Sequence, residues 1–107
     1  MTEHCESCHI GMPLLSDSDI AAQLNALSGW THNTEKKLIE KTFQFKGYYQ
    51  VMAFVNAIAW IANQENHHPD LEVGFNYCLV HYSTHAINGL TKNDFICAAK
   101  IDALEAN

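Results

Sequence analysis

Two adjacent histidines, His67 and His68, stand directly before Pro69 at the end of a long apolar stretch. Adjacent side chains diverge by about 100° on a helix and point to opposite faces of a strand, so neighbours in regular structure cannot share a site. Proline disfavours helical geometry for the residue before it. We therefore expect His67 to end a helix and His68 to be extended already, so that both rings converge on one small pocket.

A third histidine, His85, also lies at a boundary between predicted elements, where site residues concentrate. Three histidines can bind a catalytic zinc ion, but the H-E-x-x-H and paired C-x-x-C signatures are absent from the sequence. Histidine titrates near neutral pH and can give and take protons there, and a helix C-terminus would favour the charged form of His67. On spacing alone, metal ligation, acid–base catalysis and a structural role all stay open.

The four cysteines fall into two groups. Cys5 and Cys8 form a single C-x-x-C with a histidine on each side. One such pair is weak evidence for a metal clip or a redox pair, and incidental thiols in a tail are the alternative. Cys78 and Cys97 lie in apolar stretches, and we expect them to be reduced core residues.

The composition is that of a small acidic protein. The chain has 107 residues and a formal net charge of −6, with only 6 Lys and Arg. This balance argues against nucleic acid or an anionic membrane as a direct partner. No run of about 18 apolar residues is present, and the first ten residues lack the apolar core of a secretory signal. We therefore expect a cytoplasmic protein.

Two regions are predicted along the chain. Residues 1–13 have no burial pattern and are predicted to be a flexible N-terminal tail, and residues 14–107 are predicted to be a single domain. Helical spacing of apolar residues predicts three helices, and alternation of apolar and polar residues predicts four strands in two hairpins. The order is α, β, β, α, β, β, α, which is typical of an α+β domain with an antiparallel sheet.

A few positions fix these elements. Ser16 is predicted to cap the first helix and Thr91 the last one, because side-chain oxygens there can accept from free backbone N–H groups. In the first hairpin, Ile39, Phe43 and Phe45 alternate with polar residues and are predicted to face the core.

The helix before the paired histidines, within residues 48–67, is apolar almost all round. Such a helix is buried on more than one side. In a domain of this size the second burial is most simply a subunit partner, so we expect a homo-oligomer. Cover by the sheet on one flank and by loops on the other is the alternative.

The chain resembles the pterin-4a-carbinolamine dehydratase family in an ordered set of residues. These are His67-His68-Pro69, the aromatic Phe75, Ser-Thr-His ending at His85, and Asp94. The surrounding HHPDLEVGFNY and LTKNDFICAAKID also look like bacterial members of the family. The resemblance runs from about the Gly-Trp pair at 29–30 to the C-terminus.

This resemblance implies a four-stranded antiparallel sheet with helices packed on one face. It implies removal of water from a 4a-hydroxytetrahydropterin, which gives the quinonoid dihydropterin by histidine acid–base catalysis without a metal or an organic cofactor. It further implies a homodimer or homotetramer that recycles a pterin for an aromatic amino acid hydroxylase.

The resemblance also implies site residues, without saying which histidine is the acid and which the base. The catalytic residues would be His67, His68 and His85. Further substrate contacts would come from Pro69, Thr84, Ala86 and Ile87. Relatives commonly carry an acidic residue four positions before the first histidine, where this chain has Asn63. We expect Asn63 and Asp94 to tune the site, with Asn63 one helical turn before His67 on the same face.

Two alternatives come from other functional classes. Animal members of the family also act as a dimerisation cofactor of a transcription factor, through their oligomer surface. An accessory protein that binds a pterin without turnover is the other alternative.

Overall fold

The computed structural model describes residues 4–5 and 13–105 and has the predicted element order. Four strands form one antiparallel sheet in the order β1-β2-β4-β3. A short 3-10 turn, His85–Ile87, follows β4. The elements are α1 Asp17–Asn25, β1 Thr31–Asn33, β2 Leu38–Gln44, α2 Tyr48–Glu65, β3 Asp70–Val73, β4 Tyr77–Tyr82 and α3 Lys92–Glu105.

The core lies between the helices and one face of the sheet. Ile39 and Phe43 of β2 are buried there, as predicted, together with alternate residues of β4 such as Val80. Alternate side chains of a strand point to opposite faces, so Glu40 and its alternate neighbours on β2 lie on the other side. Phe45 packs partly buried against this core. The α+β fold expected from the sequence is confirmed.

Both predicted helix caps are present. Ser16 Oγ accepts a hydrogen bond from the Asp19 N–H at 3.2 Å. Thr91 Oγ1 accepts from the Asn93 N–H at 3.3 Å, and Asp94 Oδ2 accepts in return from the Thr91 N–H at 2.9 Å. This reciprocal arrangement satisfies backbone donors that a helix N-terminus leaves free. It also fixes Asp94 in the first turn of α3.

Helix α2 ends earlier than predicted. Its last residue is Glu65, and Asn66 adopts the left-handed conformation with φ 50° and ψ 42°. The His67 N–H then donates to the Ala62 carbonyl oxygen at 3.2 Å, as in a Schellman motif. The expectation that His67 is the last helical residue is wrong, because asparagine tolerates the left-handed conformation and ends the helix before the effect of Pro69 is felt.

The structure does not describe residues 1–3 and 6–12, which include Cys8 and most of the predicted tail. The flexibility of the tail therefore stays a prediction. Cys5 is half-buried, and its N–H donates to Glu65 Oε1 at 2.7 Å. His4 Nδ1 lies 2.8 Å from Glu65 Oε2. These two residues therefore contact α2.

Two further cysteines lie in the core, and the helices can be compared with the length of a membrane span. Cys78 and Cys97 are buried and free, as predicted. In residues 4–5 and 13–105, none of the helices is long and apolar enough to cross a membrane.

Candidate active site

His67 is placed by the turn after α2 and by strand β4. Its ring is 5% exposed and stacks on the ring of Tyr82, with centroids 5.4 Å apart and planes at 10°. The Tyr82 hydroxyl donates to the His67 carbonyl oxygen at 3.3 Å. One strand residue therefore supports both the ring and the backbone of His67.

Asp94 pairs with this ring from the start of α3. His67 Nε2 donates to Asp94 Oδ1 at 2.6 Å, and the Asp94 side chain is fully buried. The other oxygen, Oδ2, accepts from Thr84 Oγ1 at 2.9 Å and from the Thr91 N–H at 2.9 Å. Thr91 Oγ1 and Thr84 Oγ1 are themselves 2.9 Å apart. A buried polar network of this kind, with its members bonded, rigidifies the groups it contains.

The network favours the protonated form of His67. Burial lowers the pKa of His67, but the hydrogen bond to Asp94 and the negative charge of Asp94 outweigh it, so the pKa lies above its ordinary value. The ring therefore holds its proton to a higher pH than a free histidine does. A carboxylate, rather than the expected helix end, is the main group that favours the charged form.

His67 forms the inner wall of a small concavity. His68 and His85 are exposed at its rim, and His85 Nε2 lies 3.5 Å from Asp70 Oδ2. The concavity has a volume of about 170 Å³ and is lined by Asn66, His67, His68, Ser83, His85 and Ala86. It therefore combines one buried, carboxylate-paired imidazole with two imidazoles in contact with solvent.

The sequence profile of the family described as pterin 4 alpha carbinolamine dehydratase matches residues 13–104. The chain belongs to this family. A Legionella pneumophila (strain Corby) protein, provisionally named a pterin-4-alpha-carbinolamine dehydratase, is 59% identical over 106 residues, which cover 96% of this chain and 92% of the relative.

Two solved structures share the fold. The crystal structure of a transcriptional coactivator/pterin dehydratase from Brucella melitensis has a TM-score of 0.83 and 30% identity, covering 86% of this chain and 98% of that one. A pterin dehydratase-like protein described as a RuBisCO assembly factor in the alpha-carboxysome has a TM-score of 0.62 and 26% identity, covering 71% and 88%. The dehydratase fold thus occurs in proteins whose names refer to different functions.

The other residues predicted from the resemblance differ in where they lie relative to the concavity. Ala86 lines the concavity, and the partly buried Pro69 and Ile87 directly follow the lining residues His68 and Ala86. Thr84 is buried and bonded to Asp94, so its hydroxyl holds the carboxylate. Asn63 is exposed on α2. The assumption that Asn63 and His67 share a helix face is wrong, because the helix ends between them.

Two supporting residues were not recognised as part of the site from the sequence. Tyr82 lies within a strand, and no local pattern indicates that a histidine ring stacks on it. Asp70 follows the His-His-Pro stretch, but nothing in the sequence indicated that it lies near His85. Contacts between residues on different elements carry no signal in one sequence.

Metal binding was one of the interpretations left open. Within residues 4–5 and 13–105, no group of three or more His, Cys, Asp or Glu side chains is arranged to hold a metal ion. Cys8 lies outside those residues, so a metal clip at the C-x-x-C stays untested.

Proposed function

We propose that this protein catalyses the dehydration of a 4a-hydroxytetrahydropterin to the quinonoid dihydropterin and water. The family membership gives the class of reaction. The observation that supports catalysis by this chain is the buried His67–Asp94 pair, which lies in one concavity with His68 and His85. Placement of three imidazoles in two different environments suits a reaction that moves two protons.

The chemistry needs one proton delivered and one removed. The C4a–O bond breaks as the hydroxyl takes a proton and leaves as water, and a ring nitrogen loses a proton as the C=N bond forms. We assign proton delivery to His67, since Asp94 favours its protonated form. His68 or His85, at the exposed rim, would accept the proton from the ring nitrogen and pass it to water. A positioned group of this kind contributes roughly 10²- to 10⁴-fold.

The residues beside the histidines have separate parts in this proposal. Pro69, Ala86 and Ile87 would contact the flat pterin next to the reacting atoms. Thr84 would act indirectly, because its hydroxyl donates to the Asp94 carboxylate. This carboxylate in turn fixes the orientation of the His67 ring.

The test is a dehydration assay on substrate generated by an aromatic amino acid hydroxylase. We expect the wild-type protein to accelerate water loss, and His67→Ala, His68→Ala and His85→Ala each to reduce the rate by about tenfold or more. His32→Ala is the matched control, since His32 lies on β1 away from the concavity. Absence of acceleration by the wild type, or wild-type rates in all three folded variants, would refute the proposal.

We further propose that catalysis needs no metal and no organic cofactor, because both steps are proton transfers. Dialysis against a strong chelator should leave the rate unchanged. A loss of rate that zinc restores would contradict this and would turn attention to Cys5 and Cys8.

The same proposal places the protein in cofactor recycling in the cytoplasm. In a coupled assay, adding it should raise the steady-state turnover of a tetrahydropterin-dependent aromatic amino acid hydroxylase when the 4a-carbinolamine accumulates. His67→Ala should fail to do so.

An interaction function is the second candidate, and the names of the two solved relatives favour it. Exposed Tyr49, Trp60 and Phe75 offer apolar contact area for a partner. A dimerisation cofactor of a transcription factor, or a pterin-binding accessory protein, would keep its fold and show no turnover. Calorimetric pterin binding without dehydration would select the accessory role.

A further inference from the structure

Two thiols from distant parts of the chain meet behind the candidate site. Cys5 Sγ lies 3.4 Å from Cys97 Sγ, and Cys5 Sγ is also 3.6 Å from the Asn93 carbonyl oxygen. The Cys97 side chain is fully buried in α3, whereas Cys5 is half-buried. A hydrogen bond also keeps Cys5 near this position, because the Cys5 N–H donates to the buried Glu65 carboxylate at 2.7 Å.

The surroundings make the two thiols chemically unequal. The hydrogen bond from Cys5 lowers the pKa of Cys97, burial opposes this, and the neighbouring charge of His67 lowers the pKa further. The hydrogen bond to Cys97 and burial raise the pKa of Cys5. The thiolate is the attacking form in thiol–disulfide exchange, so Cys97 is suited to attack a neighbouring oxidised sulfur.

We propose that Cys5 and Cys97 form a reversible disulfide by exchange with a low-molecular-weight disulfide such as glutathione disulfide. The oxidant first meets the accessible thiol. Cys5 passes its proton to the Cys97 thiolate beside it as the Cys5 sulfur attacks, and the S–S bond of the oxidant breaks. One glutathione leaves as its thiolate and takes the proton back from Cys97, and a mixed disulfide remains on Cys5. The Cys97 thiolate then attacks the Cys5 sulfur and releases the second glutathione. Two thiols lose two electrons and two protons, and one glutathione disulfide becomes two glutathiones.

The geometry permits this bond with a small adjustment. A disulfide requires an S–S distance of about 2.05 Å, so the sulfurs must approach by little more than one ångström. Cys5 lies outside any helix or strand, and its backbone can therefore follow. In a reducing compartment such a bond is transient and responds to the redox state.

The position of the bond gives it a structural consequence. Cys97 lies one turn after Asp94 on α3, and Asp94 pairs with His67. The disulfide would fasten the N-terminal segment to α3 beside that pair. It would close a long loop of the chain, which restricts the unfolded state and raises stability. This proposal does not depend on dehydratase activity.

The experiment uses the full chain in glutathione buffers of increasing oxidised fraction. Free thiols are alkylated, the protein is digested with trypsin, and linked peptides are identified by mass spectrometry. We expect residues 1–36 joined to residues 93–100, with the loss of two hydrogen atoms and reversal by dithiothreitol. Oxidation should raise the melting temperature by about 5 °C or more.

Cysteine-to-serine variants show which two residues form the disulfide. Cys8→Ser should keep it, and so should Cys78→Ser, the control for a buried cysteine on β4. Cys5→Ser and Cys97→Ser should abolish it. A Cys5–Cys8 link, a link between two chains, or free Cys5 and Cys97 after oxidation of the wild type would overturn the proposal. The wild-type peptides decide this even if Cys97→Ser does not fold.

Discussion

The Asp94 carboxylate serves three partners at once. It accepts from the His67 ring, from the Thr84 hydroxyl and from the Thr91 N–H. The first contact belongs to the candidate site, and the last caps α3. A single side chain therefore connects the protonation of a histidine with the start of a helix, and its loss must affect both.

Replacement of Asp94 by Asn tests the electrostatic part of this connection. The amide keeps the size and one acceptor oxygen but removes the charge, so the pKa of His67 should fall. We expect a fall of about tenfold or more in the dehydration rate. NMR titration of the His67 ring gives the pKa. Asp102→Asn, which changes a carboxylate bonded to Trp30 and Lys41, should leave that pKa unchanged.

The raised pKa of His67 also predicts how stability depends on pH. A group whose pKa is higher in the folded state stabilises the fold fully below its unfolded value, about 6.5 for histidine. That contribution declines as pH rises from there through the folded pKa. Urea unfolding between pH 5.5 and 9 should show the difference between wild type and His67→Gln shrinking with rising pH. A constant difference would mean that His67 is not held in its charged form.

Residue types were easier to predict than pairings. The ordered histidines and Asp94 were found through resemblance, since their order along the chain is visible in the sequence. The bond between His67 and Asp94 joins residues 27 positions apart, and no local pattern indicates it. The sequence suggested Asn63 as a neighbour of His67 instead, because residues four apart are close on a continuous helix.

At the level of elements, the end of α2 places the rings of His67 and His68 in different environments. Asn66 in the left-handed conformation turns the chain, after which the His67 ring is buried and His68 is exposed. Caps and strand alternation were predictable because they depend on neighbouring residues. This helix end was missed because asparagine only tolerates the left-handed conformation and does not require it.

Substitutions at Asn66 test this turn. Asn66→Gly should keep the conformation and the dehydration rate, because glycine adopts positive φ without steric strain. Asn66→Val should lower the free energy of unfolding by about 1–2 kcal/mol and reduce the rate by moving both histidines. Asn63→Val is the matched control at an exposed helical position. Equal effects at positions 63 and 66 in urea unfolding would show that the turn is unimportant.

For the whole molecule, the outer side of α2 is notable for large apolar side chains in contact with solvent. Tyr49 is 87% exposed and Trp60 is 66% exposed. We propose that this side packs against a second copy in a homodimer or homotetramer, as the apolar character of the helix suggested. Patches of this kind on a soluble protein mark contact surfaces.

The mass in solution tests the subunit contact. Trp60→Glu would place a charge in the proposed interface, so we expect light scattering after size-exclusion chromatography to show a smaller species than the wild type. Phe75→Glu changes an equally exposed aromatic residue, 69% exposed, in the turn between β3 and β4, and should keep the wild-type mass. A monomeric wild type would refute the contact.

The order of the strands has a consequence for local opening. β2 and β4 pair centrally over six residue pairs, from Ile39–Tyr82 to Gln44–Tyr77, whereas His85 lies in one short turn joined by a single bridge, Thr84–Gly89. Amide hydrogen exchange should therefore be slowest in the central strands and fast over residues 85–88, because turns with few buried contacts open without global unfolding. The concavity would then have one rigid wall, at His67, and one wall that opens on its own, at His85. Entry and release of a flat ligand would follow the opening of that turn, at a rate that exchange measurements with and without pterin would reveal.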